Sequence, residues 1–364
     1  MGKGDRKTKK GKRFRNSYGV SRKRKKNPQK NPIKNMKCYM SNEELTKENK
    51  SLEHVIPNGL GGKLKSFHLI NAEWNDIFGR TIDSVLVKQI PLPTIFNIKR
   101  DRKKNPKIRA KSEDGTKYLV DKNLQAKRRP TKPEETILED GRISLKFIDG
   151  QEKDILKNLK KKYPKADIEQ LRKQIIWDET PTERLMFFEN NLNLITGVDA
   201  ARAVTKIATS FYVLSAKEIS NIQQVVPFLR GEDDGIGVMR YYYPEDKLIH
   251  QLKEDEISHL IYIKGDAKEK LLYAYVELFN CHNFLIVLNN SYEGKDVEYS
   301  YCYDLNTNTK LEKKVNLDLT KEEIDSLAFP GEPDTESKYF EKLERIMNIR
   351  GLNLERRNVK DLKG

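Results

Sequence analysis

The first 37 residues cannot build a folded core, and this limits the chain more than any other feature. They hold sixteen lysines and arginines and one acid, Asp5, a net of +15. Phe14 and Tyr18 are almost their only large apolar groups. Such a segment buries too little surface to offset its ordering entropy, so it is expected to stay disordered until bound. The whole chain carries +16, so the other 327 residues, with 54 bases and 53 acids, sit at +1. A uniformly basic coat protein is thereby excluded. The pattern is a cationic arm that seeks a polyanion, joined to a nearly neutral body.

The body still has the means to fold. Charged residues make up 34% of the chain, above the usual share of about 25%, but Leu, Ile, Val, Phe and Tyr gather in distinct segments. No apolar run reaches the roughly 18 residues of a membrane span, so no membrane partner is expected. No apolar stretch follows the basic start, which argues against a secretory signal. Cys38, Cys281 and Cys302 are odd in number and far apart, which suits a reducing cytoplasm and not a disulfide framework. No oligomeric state is specified.

Four segments are expected: an arm over 1–37, a compact module over 38–93, a charged connecting region over 94–190 and an α+β domain over 191–364. In the module, Leu52–Ile56 reads as a strand, Asn58–Gly62 as a glycine-rich turn and Phe67–Ile70 as a second strand. A helix follows from the N-cap type Asn71, with Trp74, Ile77, Phe78, Ile82 and Val85 as its apolar stripe and a break at Gly79. Pro91 and Pro93 end it. The connecting region is polar, with short strands at Tyr118–Val120 and Ile143–Phe147 and a helix near Gln151–Lys162. An Ala-rich helix over 195–220 places Val204, Ile207, Ala208, Phe211 and Tyr212 on one face. Five strand-like runs follow, Val238–Tyr243, Ile257–Ile263, Leu271–Phe279, Phe284–Leu288 and Val297–Tyr303. They predict an antiparallel sheet packed on that helix. Tyr339–Ile349 reads as a last amphipathic helix. His250, His259 and Cys281-His282 lack partners at metal-ligand spacing and are read as structural.

Only the module concentrates catalytic residue types. Glu53 and His54 are adjacent at the end of a strand, so their side chains point to opposite sides. One can bind a metal while the other faces a substrate, and Asn75, one turn into the helix, can complete the metal site. That set can hydrolyse a phosphodiester. A divalent cation neutralises charge on the phosphate and the leaving oxygen, while the histidine takes a proton from the attacking water.

The stretch Glu53-His54-Val55-Ile56-Pro57, Gly61-Gly62, Asn75, Phe78-Gly79 and Ile82-Asp83 resembles an HNH endonuclease of the subgroup with an EHVIP…LGG…N..FG..ID signature, over about Cys38 to Ile90. The resemblance implies a ββα-metal fold, His54 as general base, and Glu53 and Asn75 as ligands of Mg²⁺ or Mn²⁺. It places the polar residue that orients the histidine at Ser66 or His68. Relatives often carry two CxxC knuckles around a structural zinc. Here Ser41, Asn71 and Trp74 stand where cysteines would, beside Cys38, so no structural zinc is expected. The central Asn of many members is also missing. Ala200–Ala208 and Phe228–Gly231 are similar to the region that follows the nuclease motif in longer members.

The arm has its own likeness. Met1-Gly2-Lys3-Gly4-Asp5-Arg6, with Tyr18-Gly19 and Arg22–Lys26, resembles the small 30S ribosomal protein Thx, a short basic peptide lodged against rRNA. Lys3, Arg6, Lys7, Lys9, Lys10, Lys12, Arg13, Arg15, Arg22, Lys23 and Arg24 are the expected phosphate contacts. Phe14 or Tyr18 could stack on a base. These features predict a metal-dependent HNH endonuclease with a nucleic-acid-binding arm, acting on DNA by default, with RNA left open by the arm. The alternatives are a non-enzymatic protein bound to rRNA or the 30S subunit, with a degenerate HNH body, and an HNH scaffold used only to bind DNA.

Overall fold

The computed structural model describes residues 36–351, apart from 102–106, 113–114, 122–124, 130–132, 140–142, 147–151, 166, 174, 176–185, 189–191 and 246–247. The expected phosphate contacts of the arm lie outside the described residues. Met1–Met36 and Lys37–Gly364 separate as two units, and every strand and helix described belongs to the second.

Its chain begins with two very short strands, β1 (Glu53–His54) and β2 (Lys65–Ser66), which pair antiparallel. Helix α1 (Ala72–Arg80) follows, then α2 (Ile82–Gln89) and the single turn α3 (Leu92–Ile95). Asn71 caps α1 as its residue type predicts, its side-chain oxygen accepting from the Trp74 amide at 3.0 Å. The expected break at Gly79 falls instead at Thr81, whose φ of −100° and ψ of −95° interrupt the helix. The second strand also lies two residues earlier than its apolar run suggested. Leu69 and Ile70 are buried without joining the hairpin.

The charged region contains more sheet than expected. Strands β3 (Ile108–Ser112), β4 (Lys117–Val120) and β5 (Ala126–Arg128) join a later strand, and β6 (Glu134–Ile137) pairs with β7 (Ile143–Lys146). In β3 the alternation of Ile108, Ala110 and Ser112 with Arg109 and Lys111 buries one face and leaves the bases outside. Charge on every second residue masks such a strand in a composition reading. Two helices follow, α4 (Glu152–Lys162) and α5 (Ile168–Lys173), then β8 (Met186–Phe188), which pairs with β3.

Helix α6 (Val198–Ala216) is the axle of the unit. Every residue from Ala203 to Val213 is buried, so it is enclosed all round and not merely amphipathic. It contacts α2 and strands of the large sheet. After α7 (Val226–Arg230) come β9 (Met239–Tyr241), β10 (Ser258–Asp266), β11 (Leu271–Leu278), β12 (His282–Asn289), β13 (Val297–Asp304) and β14 (Thr309–Leu311). They form one antiparallel sheet in the order β14-β13-β10-β11-β12-β9. The period of two sorts its side chains. Ile261, Ile263, Ala274 and Val276 join the core shared with α6, while Leu260, Tyr262, Tyr273 and Tyr275 pack on the other face with Leu317, Leu319 and Ile324. Helices α8 (Lys321–Ser326) and α9 (Thr335–Asn348) complete the order. One core runs from Cys38 through Ile98, α6 and the sheet to Met347. The boundaries expected near 93 and 190 therefore do not divide it.

His259 fastens the sheet to the hairpin. It is buried, its Nε2 donates to the Leu60 carbonyl at 3.0 Å, and its Nδ1 accepts from the Phe279 amide at 3.3 Å. Burial holds its pKa down to about 4 against the Leu60 hydrogen bond and the charge of Glu277. Burial, and then His259 itself, lower His282 to about 3. Both rings are neutral in the folded chain at neutral pH. As pH falls below the ordinary 6.5, the unfolded chain gains protons that the folded chain refuses. Stability is therefore full above about pH 7 and declines towards pH 4, His259 alone accounting for roughly 3 kcal/mol at full effect. Urea midpoints measured from pH 8 to pH 4.5 should fall accordingly, and His259→Gln should flatten the slope.

Candidate functional site

The strand alternation sends Glu53 and His54 opposite ways. Glu53 points inward and is buried, while His54 is half-buried at the surface. In register, Glu53 faces Ser66 and His54 faces Lys65.

Inside, Glu53 meets a cation of the protein's own. The Lys206 ammonium, from the middle of α6, pairs with Glu53 Oε1 and with both oxygens of Asp83 on α2, at 2.9 and 2.7 Å. Lys206 is fully buried and its Nζ lies 5.8 Å from the centre of the Phe78 ring. Burial works against the ammonium, but Asp83 and Glu53 outweigh it and hold its pKa above the ordinary lysine value. Glu53 shifts upward, because burial and the neighbouring Asp83 exceed the pull of Lys206. One ammonium thus serves two carboxylates.

Asn75 has other business. Its Nδ2 donates to Ser51 Oγ at 2.7 Å and to the Leu52 carbonyl at 3.3 Å, tying α1 to the chain just before β1. Of the two residues expected to share a divalent ion, Glu53 is paired with Lys206, while Asn75 is held through its amide nitrogen. The donor set does not fit the metal that the HNH resemblance implies, because its one carboxylate is spent on Lys206.

Cys38, Ser41, Asn71 and Trp74, the positions compared with zinc knuckles, lie in one hydrogen-bonded group. Cys38 Sγ accepts from the Asn71 amide at 3.4 Å. Glu43 collects Ser41 Oγ and Asn71 Nδ2, each at 3.1 Å. Trp74 packs on Phe78 with ring centres 5.5 Å apart, and the Arg230 guanidinium lies 6.0 Å from its ring centre.

Outside, His54 Nε2 lies 3.1 Å from Asp101 Oδ2. Neither Ser66 nor His68 holds this ring. Ser66 is buried and accepts from the His68 amide, and His68 is exposed. Asp101 also receives Lys65 Nζ at 2.8 Å and Lys63 Nζ at 3.3 Å. Its backbone amide donates to Asn58 Oδ1 at 3.0 Å. Lys65, His54 and Lys63 hold the Asp101 carboxyl far below the usual carboxylate range. Burial lowers the pKa of His54 despite Asp101, so the ring is neutral at neutral pH. That is the protonation state a general base needs.

The turn beneath this surface needs its glycines. Gly61 has a φ of +92°, and a Cβ on Gly62 would stand 1.9 Å from the Ile56 carbonyl oxygen. Asp101, Lys63 and Lys65 were missed in the sequence because no motif contains them. Asp101 sits in a charged stretch 47 residues from His54, where only the folded chain singles it out.

No known family model, curated protein or solved structure matches this chain. The inner ion group makes a direct prediction. Lys206→Met strands the buried Glu53 carboxylate and the half-buried Asp83 carboxylate and should cost roughly 3–5 kcal/mol, whereas Lys206→Met combined with Glu53→Gln and Asp83→Asn should recover a large part of it. Denaturant unfolding of the two variants beside the wild type checks this.

Proposed function

We propose that the chain hydrolyses phosphodiester bonds in nucleic acid, as an endonuclease of HNH type with its active surface at His54. The observation that carries this reading is a neutral, half-buried imidazole with two lysine ammoniums beside it. The succession of a short antiparallel hairpin and a helix agrees with a ββα arrangement. In the proposed reaction, His54 takes a proton from the attacking water. Lys63 and Lys65 attract the non-bridging phosphate oxygens, and the departing oxygen is protonated from solvent. No step is assigned to a metal, since the Glu53 carboxylate is paired with Lys206. DNA is the default substrate, through the resemblance.

His54→Ala should lower plasmid nicking by at least about 100-fold, the usual worth of a general base. The assay is run in Mg²⁺, in Mn²⁺ and in EDTA, with circular dichroism to show an unchanged fold. Undiminished nicking by that variant would remove His54 as the base.

The second reading, a non-enzymatic protein bound to rRNA, gains from the commitment of Glu53 to Lys206. It expects wild type and His54→Ala to behave alike and to sediment with small ribosomal subunits. Under either reading the arm supplies long-range attraction. Deleting residues 1–34 should weaken nucleic-acid binding and reduce its salt dependence, as measured by fluorescence anisotropy across a salt series. An unchanged salt slope would show that the arm is not the electrostatic contact.

A further inference from the structure

We propose that the Asp101 carboxylate is a built-in anion that fills a phosphate-binding cradle formed by His54, Lys63 and Lys65, and that a phosphodiester group of nucleic acid takes its place. The proposal rests on the reading of His54 as the centre of a nucleic-acid site.

The geometry has one direction. All three donors belong to the hairpin, and all three converge on one carboxylate that arrives from a distant part of the chain. Lys63 Nζ reaches Oδ1 at 3.3 Å, while Lys65 Nζ at 2.8 Å and His54 Nε2 at 3.1 Å reach Oδ2. A site that gathers two ammoniums and an imidazole on two oxygens of one anion is a receptor for an oxyanion. The two non-bridging oxygens of a phosphodiester match a carboxylate in charge and in having two acceptors side by side.

The plug is also exchangeable. The Asp101 side chain is 35% exposed and the lysines are 22% and 41% exposed, and ion pairs so open to water are weak. The Asp101 backbone is anchored separately, through its amide and Asn58 Oδ1. Rotation of the side chain alone therefore uncovers the cradle.

The chemistry follows from the hydrogen bond. While Asp101 accepts from His54 Nε2, the neutral ring carries its proton there and that nitrogen cannot accept another. Substrate phosphate that displaces Asp101 satisfies the two lysines and takes over the Nε2 proton as its acceptor, which leaves Nδ1 to accept a proton from water. Asp101 would then restrain the site until a phosphate competes for it. The opposite assignment, Asp101 as a positioning residue for the base, requires the contact to persist during reaction.

The test uses the full chain with histidine labelled by ¹⁵N, and inorganic pyrophosphate as probe. Binding is followed at the His54 ring by NMR, so that capture by the arm does not register. Asp101→Asn removes one negative charge at contact distance and should tighten pyrophosphate binding about ten-fold. That gain should vanish when Lys63→Gln and Lys65→Gln are added. Unchanged affinity in Asp101→Asn, or a gain that survives loss of both lysines, overturns the proposal. Plasmid nicking separates it from the reading beneath it. Tighter binding with faster nicking supports both. Tighter binding with no nicking by either protein supports the plug and removes the nuclease. Unchanged binding with slower nicking makes Asp101 a positioning residue and overturns the plug.

Discussion

A buried ammonium fixes the candidate site to the central helix. Lys206 lies 123 residues from Asp83 along the chain and 153 from Glu53, and it is fully out of water. An uncompensated charge there would be prohibitive, so α6 packs stably only where both carboxylates meet it. The strand that carries Glu53, the helix that carries Asp83 and the central helix are therefore fixed to one another by one requirement. Replacing such a group by apolar residues is often neutral or even stabilising, so its value here lies in register more than in net energy. A shift of β1 by one residue would turn Glu53 out and His54 in.

That register gives the site its outer face. With Glu53 turned inward, His54 must face outward, beside Lys65 across the hairpin. The turn between the strands is held from beneath. Leu60 offers its carbonyl to His259, Ile98 and Leu305 pack where a side chain on Gly61 would stand, and Val87 closes on Gly59. The large sheet is thus part of the support for the hairpin, which has too few hydrogen bonds to be stable alone. This explains why a boundary near residue 93, sensible by composition, does not appear in the core.

Local patterns carried much of the architecture. The Asn71 cap, the apolar stripe of α1 and α2, the α6 segment and the five strand runs of the sheet all express short-range rules that a sequence displays. What escaped were pairings between distant residues. Lys206 reads as an ordinary lysine on a helix, and its burial appears only when two acids converge on it. Asp101 reads as one charge among many. The same difficulty hid β3, whose bases occupy the outward positions. Glu53 and His54 were legible as opposed side chains, but which one would meet a cation, and whose cation, depended on contacts across the chain.

The division of charge suggests how such a site would work on a polyanion. At +1, the body exerts little attraction beyond a Debye length, about 8 Å at physiological salt, so the arm at +15 would govern capture. Capture by an arm carries little sequence information, because phosphates are everywhere alike. Discrimination would then fall to the hairpin, where a phosphate must compete with a carboxylate already seated among His54, Lys63 and Lys65. Attraction would raise the local concentration of phosphate, and the competing carboxylate would set the threshold it must exceed. A nearly neutral body is what that arrangement requires, since a basic surface around the hairpin would draw phosphates in regardless of fit.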